Sequence, residues 1–303
     1  MPLPRVDRRT VLAGLAASVL PVLGGAAAAR LARPIPSSGE RLPVIGMGSW
    51  ITFDVGDDRR ERAQRVEVLR NFFAAGGGMI DSSPMYGSSE EVIGHCLSRL
   101  AEHTGLFTAT KVWTPFESHG AGQIEASRRL WGAARFDLMQ VHNLLNWDGH
   151  LRTLRARRDA GQIRYIGVTT SHGRRHETLE KVMKSERLDF VQLTYNMVNR
   201  ATEKRLLPLA AERGQAVIVN RPFLRGELFD YVEGHPLPPW AAEFGAANWA
   251  QFFLKWVISH PAVTCAIPAT SRPDHMRENM GAGLGPLPDA KTRAHMLAHV
   301  EGL

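Results

Sequence analysis

From residue 44 to the C-terminus, short apolar runs alternate with longer stretches whose apolar residues recur at helical spacing. The short runs are VIGMG, MID, LFTATKV, DLMQVH, YIGVTT, DFVQLTY, AVIVN and VTCAIP. Several are apolar on nearly every position, the pattern of a strand buried on both faces in a parallel sheet. The intervening stretches predict helices over 60–75, 88–100, 122–130, 151–158, 178–186, 203–213, 249–257 and 274–280, with a closing helix over 289–300. Ala63, Val66, Leu69 and Phe73 mark the inner face of the first, which Gly76, Gly77 and Gly78 stop. Trp249, Phe252, Phe253, Trp256 and Val257 mark the widest apolar face. Ahead of this series, RPIPSSGERLPVIGMGSW predicts a small hairpin with its turn at SSGE, feeding the first strand. Gly46 and Gly48 stand there where backbone passes close to a neighbour.

Eight strands, each followed by a helix, predict an α/β fold: a single-domain (β/α)8 TIM barrel over residues 31–303. A doubly wound open sheet would carry a GxGxxG turn after its first strand, and GMGSW is not that motif.

The first 30 residues stand outside this pattern. Arg8 and Arg9 precede an apolar stretch through Leu12, Leu15, Val19, Leu20, Val22 and Leu23, which ends in Gly24, Gly25 and the alanines 26–29. A charged start, a short apolar core and an Ala-x-Ala site predict a removable secretory signal. The paired arginines point to the twin-arginine export machinery and a periplasmic or otherwise exported protein. The apolar run is short for a membrane span, so no stable span is expected after cleavage.

Composition adds little beyond this. The chain is 44% hydrophobic and 22% charged, as in soluble globular proteins. Its formal charge of +7 falls to about +5 once Arg5, Arg8, Arg9 and Asp7 are removed with the signal. There is no long basic run and no zinc-finger or RNP pattern, so no nucleic-acid partner is expected. Cys96 and Cys265 fall in apolar segments of distant units and read as small buried hydrophobes, not as a disulfide. The 12 histidines show no metal-ligand spacing, and no metal is expected.

The chemistry concentrates at strand ends. Asp81 and Tyr86 follow the second strand, Lys111 closes the third and His142 closes the fourth, about 30 residues apart, the length of one strand-plus-helix unit. A phenol ionises near pH 10, and a lysine cation beside it lowers that value. A carboxylate keeps the lysine charged and in place. A histidine can hydrogen-bond the oxygen that the phenol protonates. This set suits protonation of a carbonyl oxygen as hydride reaches its carbon. Another reading stays open: a barrel lyase using Lys111 as a Schiff base.

The segments carrying these residues resemble the aldo/keto reductase family over residues 33–280. They are LPVIGMGSW, GGGMIDSSPMYGSSEEVIGHCL, FTATKVW, DLMQVHN, GQIRYIGVTTS, VQLTYN, VIVNRPF and IPATSRPDHMREN. The resemblance implies a (β/α)8 barrel that binds an extended nicotinamide dinucleotide, usually NADPH, and reduces a small-molecule carbonyl substrate; because export separates the protein from cytoplasmic cofactor recycling, a nicotinamide-binding sensor or scaffold with little turnover stays open beside it. It implies Tyr86 as the general acid/base, Lys111 and Asp81 tuning it, and His142 orienting the carbonyl. It places Gly48, Ser49, Trp50, Asp81, Thr169, Thr170, Gln192, Arg221 and Pro222 at the cofactor, with Gln192 on the carboxamide. Arg272 would stand near the adenosine 2′-phosphate, and Glu278 and Asn279 near adenine, which favours NADPH over NADH. Trp50, Trp113 and Asn143 would line the substrate pocket. The chain departs from the family pattern in Asn220, where a stacking tyrosine is common, in Thr169-Thr170, where Ser-Asn is common, and in Ala269-Thr270, where Lys-Ser is common.

Overall fold

The computed structural model describes residues 30–303. The predicted signal, but for residue 30, lies outside the described residues.

The chain opens with the expected hairpin, β1 (Ala32–Pro34) antiparallel to β2 (Arg41–Pro43), Arg33 opposite Leu42. Eight strands follow: β3 (Met47–Gly48), β4 (Met79–Asp81), β5 (Phe107–Val112), β6 (Phe136–Val141), β7 (Ile163–Thr169), β8 (Phe190–Thr194), β9 (Ala216–Asn220) and β10 (Val263–Ala266). They pair in sequence order, all parallel. Bridges from Ile45 to Ala266 and from Gly48 to Ala269 draw β3 against β10, so the sheet curls into a nearly closed (β/α)8 barrel in one domain.

The glycines at this seam serve close approach. A Cβ on Gly46 would lie 2.9 Å from the Met79 carbonyl, and one on Gly48 would lie 2.9 Å from that of Ile267. No neighbouring backbone could yield there without opening the seam.

The barrel is filled from below. Ile35 and Leu42 of the hairpin pack with Met79, Phe107, Leu138, Tyr165, Phe190 and Cys265 in one buried cluster, which plugs the N-terminal mouth. The Tyr165 hydroxyl contacts Ser38 Oγ at 2.8 Å and Glu40 Oε2 at 2.7 Å, tying the hairpin turn to β7. A second, larger core lies between the strands and the helices. Cys96 and Cys265 are both buried and free.

The helices are α1 (Arg59–Ala74), α2 (Ser89–Leu97), α3 (Glu117–Trp131), α4 (Trp147–Asp159), α5 (His176–Ser185), α6 (Leu206–Glu212), α7 (Glu227–Asp230), α8 (Trp249–Ile258), α9 (Pro273–Gly281) and α10 (Ala290–Glu301). Two departures from the sequence pattern have physical causes. α3 begins well before residue 122, because Gly120 is a packing residue and not a helix stop: a Cβ there would lie 2.9 Å from His150 Nδ1 on α4. The helix predicted over 203–213 splits into a 3-10 turn, Ala201–Lys204, and α6. Pro208 has no N–H to offer the preceding turn and is tolerated only in the first turn of α6.

The long connection after β9 holds α7 and a 3-10 segment, Pro239–Phe244. Among the described residues no helix is long and apolar enough to cross a membrane, and no group of histidine, cysteine and acidic residues is arranged to hold a metal ion.

Candidate active site

Strand register places the polar residues. Side chains alternate along each strand, and neighbours in register share a direction. Lys111 lies opposite Gln140, and Thr169 opposite Gln192. Asp81, Lys111, Gln140 and Gln192 all point into the C-terminal end of the barrel, where they form one buried network. Lys111 Nζ lies 2.5 Å from Asp81 Oδ2 and donates to the Ser82 carbonyl at 2.7 Å. Gln140 Nε2 and Gln192 Nε2 each donate to Asp81 Oδ1 at 3.0 Å. Ser49 Oγ bonds the Asp81 carbonyl at 3.0 Å and Ser82 Oγ at 2.8 Å, which fixes the loop after β3 to the end of β4.

Tyr86 stands above this pair in the loop between β4 and α2. The Lys111 ammonium lies 5.1 Å from its ring centre. The His142 ring meets it edge-on, centroids 5.6 Å apart at 85°, and Trp50 flanks it at 6.4 Å. Tyr86 and His142 line a cavity of about 340 Å³ at the barrel mouth, with Gly48, Ser49, Trp50, Asp81, Asn143, Thr169, Thr170, Gln192, Arg221 and Pro222 also in its wall. Lys111 is wholly buried and stands behind the wall, not in it.

The electrostatics differ from the simple expectation for the phenol. Burial pushes the Tyr86 hydroxyl above its ordinary value, and this outweighs the pull of Lys111 and Arg221 in the other direction. Tyr86 is therefore held protonated, as a proton donor. Burial disfavours the Lys111 ammonium, but Asp81 and Tyr86 more than compensate and hold its pKa above the usual lysine value. Burial first, and then the Lys111 charge, push His142 down to about 2, so its ring is neutral.

The remaining predicted residues separate into two places. Asn143, Thr169 and Thr170 share the cavity wall with Gln192; Thr169 Oγ1 accepts from the Asn143 backbone N–H at 3.0 Å. Arg272 lies outside the cavity, forked onto Asp274 ahead of α9; its Nε lies 3.1 Å from Oδ1. Glu278 and Asn279 lie on α9, also outside the cavity. Arg277 donates to Asn71 Oδ1 at 3.1 Å.

Trp113, expected in the pocket wall, is 42% exposed and stands outside the residues that line the cavity. It falls just past β5, two residues beyond the inward Lys111. Gln123 of α3 holds both its N–H, at 2.6 Å, and its carbonyl, at 3.0 Å, and draws this segment out over the helix.

Gln140, Arg225 and Glu90 carry no sequence signal of their own, whereas Asn220 and Arg221 stand at positions that the family resemblance singles out. Gln140 looks like an ordinary strand residue until register sets it beside Lys111. Asn220 ties three strands together: Nδ2 donates to the Thr170 carbonyl at 2.8 Å, and Oδ1 accepts from Thr194 Oγ1 at 2.6 Å. Arg221 and Arg225 both line the mouth, with their guanidinium carbons 5.2 and 4.9 Å from the centre of the Trp50 ring. Glu90 is buried beneath the site, where its carboxylate accepts from Thr110 Oγ1 at 2.5 Å, Ser127 Oγ at 2.7 Å and Trp131 Nε1 at 3.2 Å. Among the described residues, every non-glycine residue with positive φ follows a barrel strand on this face. They include Ile51 at +66°, Asn143 at +51°, His172 at +63° and Arg221 at +53°. Such strain collects where function fixes the backbone.

This donor set fits a dinucleotide. Gln192 and Asn220 present amides and Thr170 presents a hydroxyl, suited to a carboxamide. Arg225 has no carboxylate partner among the described residues, and the only carboxylate in the cavity wall, Asp81, is already paired with Lys111. The mouth is therefore left positive, as phosphates require.

The Aldo/keto reductase family profile matches residues 44–294. The chain belongs to the aldo/keto reductase family and is an oxidoreductase. Among characterised relatives, methylglyoxal reductase YeaE of Escherichia coli (strain K12) is 28% identical over 247 residues, which cover 78% of this chain and 84% of that protein. Two solved structures share the barrel. An aldo-keto reductase from Bacillus halodurans in its holo form superimposes with a TM-score of 0.73 at 19% identity, covering 90% of this chain and 96% of that one. An aldo/keto reductase from Klebsiella pneumoniae in complex with NADP and acetate gives 0.71 at 23% identity, covering 86% and 93%.

Proposed function

We propose that the protein reduces an aldehyde or ketone to the alcohol, with Tyr86 as the proton donor and NADPH, in preference to NADH, as the cofactor. The observation that carries this reading is the buried Lys111–Asp81 pair directly behind a protonated phenol that lines the cavity.

The nicotinamide, when bound, supplies the hydride. Gln192, Thr170 and Asn220 would hold its carboxamide, Arg221 and Arg225 its phosphates, and Arg272 the 2′-phosphate that distinguishes NADPH. The neutral His142 ring donates a hydrogen bond to the substrate oxygen and sets its direction. As negative charge grows on that oxygen, Tyr86 transfers its proton there, and the alcohol forms. Lys111 stabilises the phenolate left behind, and Asp81 keeps the ammonium fixed and charged. Water at the open mouth returns the proton. Trp50 and Asn143 form walls against the substrate, an apolar one and a polar one.

A Schiff base on Lys111 is a poorer reading. A nucleophilic amine must be neutral and reachable, whereas this one is raised in pKa, bonded to Asp81 and the Ser82 carbonyl, and outside the cavity wall. We further propose that residues 1–30 direct export by the twin-arginine route and that the barrel acts in the periplasm. Export of a folded protein allows the cofactor to travel already bound.

The test is a steady-state assay of NADPH and NADH oxidation against a panel of aldehydes and ketones that includes methylglyoxal, the substrate named for the E. coli relative. Repeated turnover with at least one carbonyl, faster with NADPH, is expected. A single burst of oxidation without cycling would identify a sensor instead.

A further inference from the structure

Ser83 lies two residues past Asp81, with no solvent exposure. Its Oγ is 2.8 Å from His142 Nδ1 and 3.2 Å from the Met85 backbone nitrogen. The backbone N–H has only one role: it donates, and Ser83 Oγ accepts. The contact to the ring can run in either direction, and the direction decides where the ring proton sits.

In one arrangement Nδ1 carries the proton and gives it to Ser83. The serine oxygen then accepts twice, and its own hydroxyl proton has no acceptor, for Oγ makes no other hydrogen bond among the described residues. A buried donor left unmatched is costly. In the other arrangement Ser83 accepts from Met85 and donates to Nδ1. Every polar group is then matched, and the ring proton is forced onto Nε2. That nitrogen has no protein partner among the described residues, and His142 lines the cavity. The ring is neutral, so it has two tautomers to choose between, and only one offers a donor on that free edge.

We propose that Ser83 is a positioning residue that locks His142 as the Nε2–H tautomer, so that the free edge of the ring is always a hydrogen-bond donor. An Nδ1–H ring would present a lone pair to a carbonyl oxygen and repel it. Ser83 thereby converts an ambidextrous side chain into a fixed donor without touching the substrate. The consequence for catalysis rests on the reduction proposed above; the tautomer itself does not.

The experiment follows the tautomer in the full chain by two-bond ¹H–¹⁵N NMR of ¹⁵N-histidine-labelled protein, with His142 assigned by its loss in His142→Gln. The wild-type ring is expected to show a protonated Nε2 and a bare Nδ1. Ser83→Ala should shift it to a mixture or to Nδ1–H, and Ser83→Thr should restore the wild-type pattern. An Nδ1–H ring in the wild type, or an unchanged Nε2–H ring in Ser83→Ala, overturns the proposal. The wild-type spectrum decides the matter even if Ser83→Ala does not fold. In the kinetic arm, Ser83→Ala should lower kcat by roughly a hundredfold with little change in KM for NADPH, and Ser83→Thr should recover most of it. Absence of turnover in wild-type protein removes the reduction reading and leaves the NMR result standing. A tautomer shift with full kcat would show that Ser83 sets the ring but that the reaction does not use it.

Discussion

Lys111 Nζ lies 2.5 Å from Asp81 Oδ2 beneath the phenol of Tyr86, the lysine wholly buried and the aspartate nearly so at the floor of the cavity. A buried pair of this kind contributes little net stability but is costly to break, because the surviving charge has no solvent. Asp81→Asn should therefore lower stability by about 3–5 kcal/mol, read from urea unfolding, and abolish turnover. Asp81→Asn combined with Lys111→Met should regain most of the stability and none of the turnover. Recovery of both would show that the pair is structural only.

The elevated pKa of Tyr86 sets the pH dependence. Carbonyl reduction needs the protonated phenol, and burial moves its ionisation above the ordinary value, which is near 10. The reduction rate should be flat across neutral pH and fall only in strong alkali. Alcohol oxidation, which needs the phenolate, should rise with pH over the same range. His142, already neutral, adds no inflection near 6.5. Stopped-flow rates of the hydride step against pH test this; a reduction rate that halves near pH 7 would place the phenol in a different environment.

Glu90 offers a test of stability away from the reacting groups. Burial raises its pKa, against the hydrogen bonds from Thr110, Ser127 and Trp131. A carboxyl raised in the folded state contributes stability below its unfolded pKa and loses it as pH rises through the folded value. Glu90→Gln should thus gain on wild type as pH rises from 4 to 8. Glu90→Ala, which strands three donors, should cost at least about 2 kcal/mol. Thermal unfolding at several pH values separates these outcomes.

The arginines at the mouth and at α9 predict different cofactor effects. Arg225→Ala should weaken NADPH and NADH alike by roughly tenfold, less at high salt. Arg272→Ala should weaken NADPH alone. Fluorescence titration of each variant with each dinucleotide decides this. Equal loss for both cofactors in Arg272→Ala would remove that residue from the 2′-phosphate.

Much of this is legible in the chain. The barrel shows because strands buried on both faces read as apolar runs, and the catalytic candidates show because Asp81, Lys111 and His142 interrupt or end those runs. Gln140 and Ser83 are not legible. A glutamine within a strand and a serine in a Ser-Ser-Pro turn are common, and only register and the path of one loop bring them to Asp81 and His142. The place of Trp113 is not legible either, because a residue one place past a strand end can turn inward or outward, and its backbone is held by Gln123 ten residues on. The sign of the shift at Tyr86 is hidden for a similar reason. Sequence places a cation nearby, but the depth of burial that outweighs it exists only in the folded barrel.

Turnover of Tyr86→Phe, with cofactor affinity measured in parallel, tests the central claim most directly. Removing one oxygen from a side chain that otherwise keeps its shape should lower kcat by about a hundred- to ten-thousandfold and leave the Kd for NADPH unchanged. A Tyr86→Phe enzyme that reduces its carbonyl substrate at the wild-type rate would contradict the account.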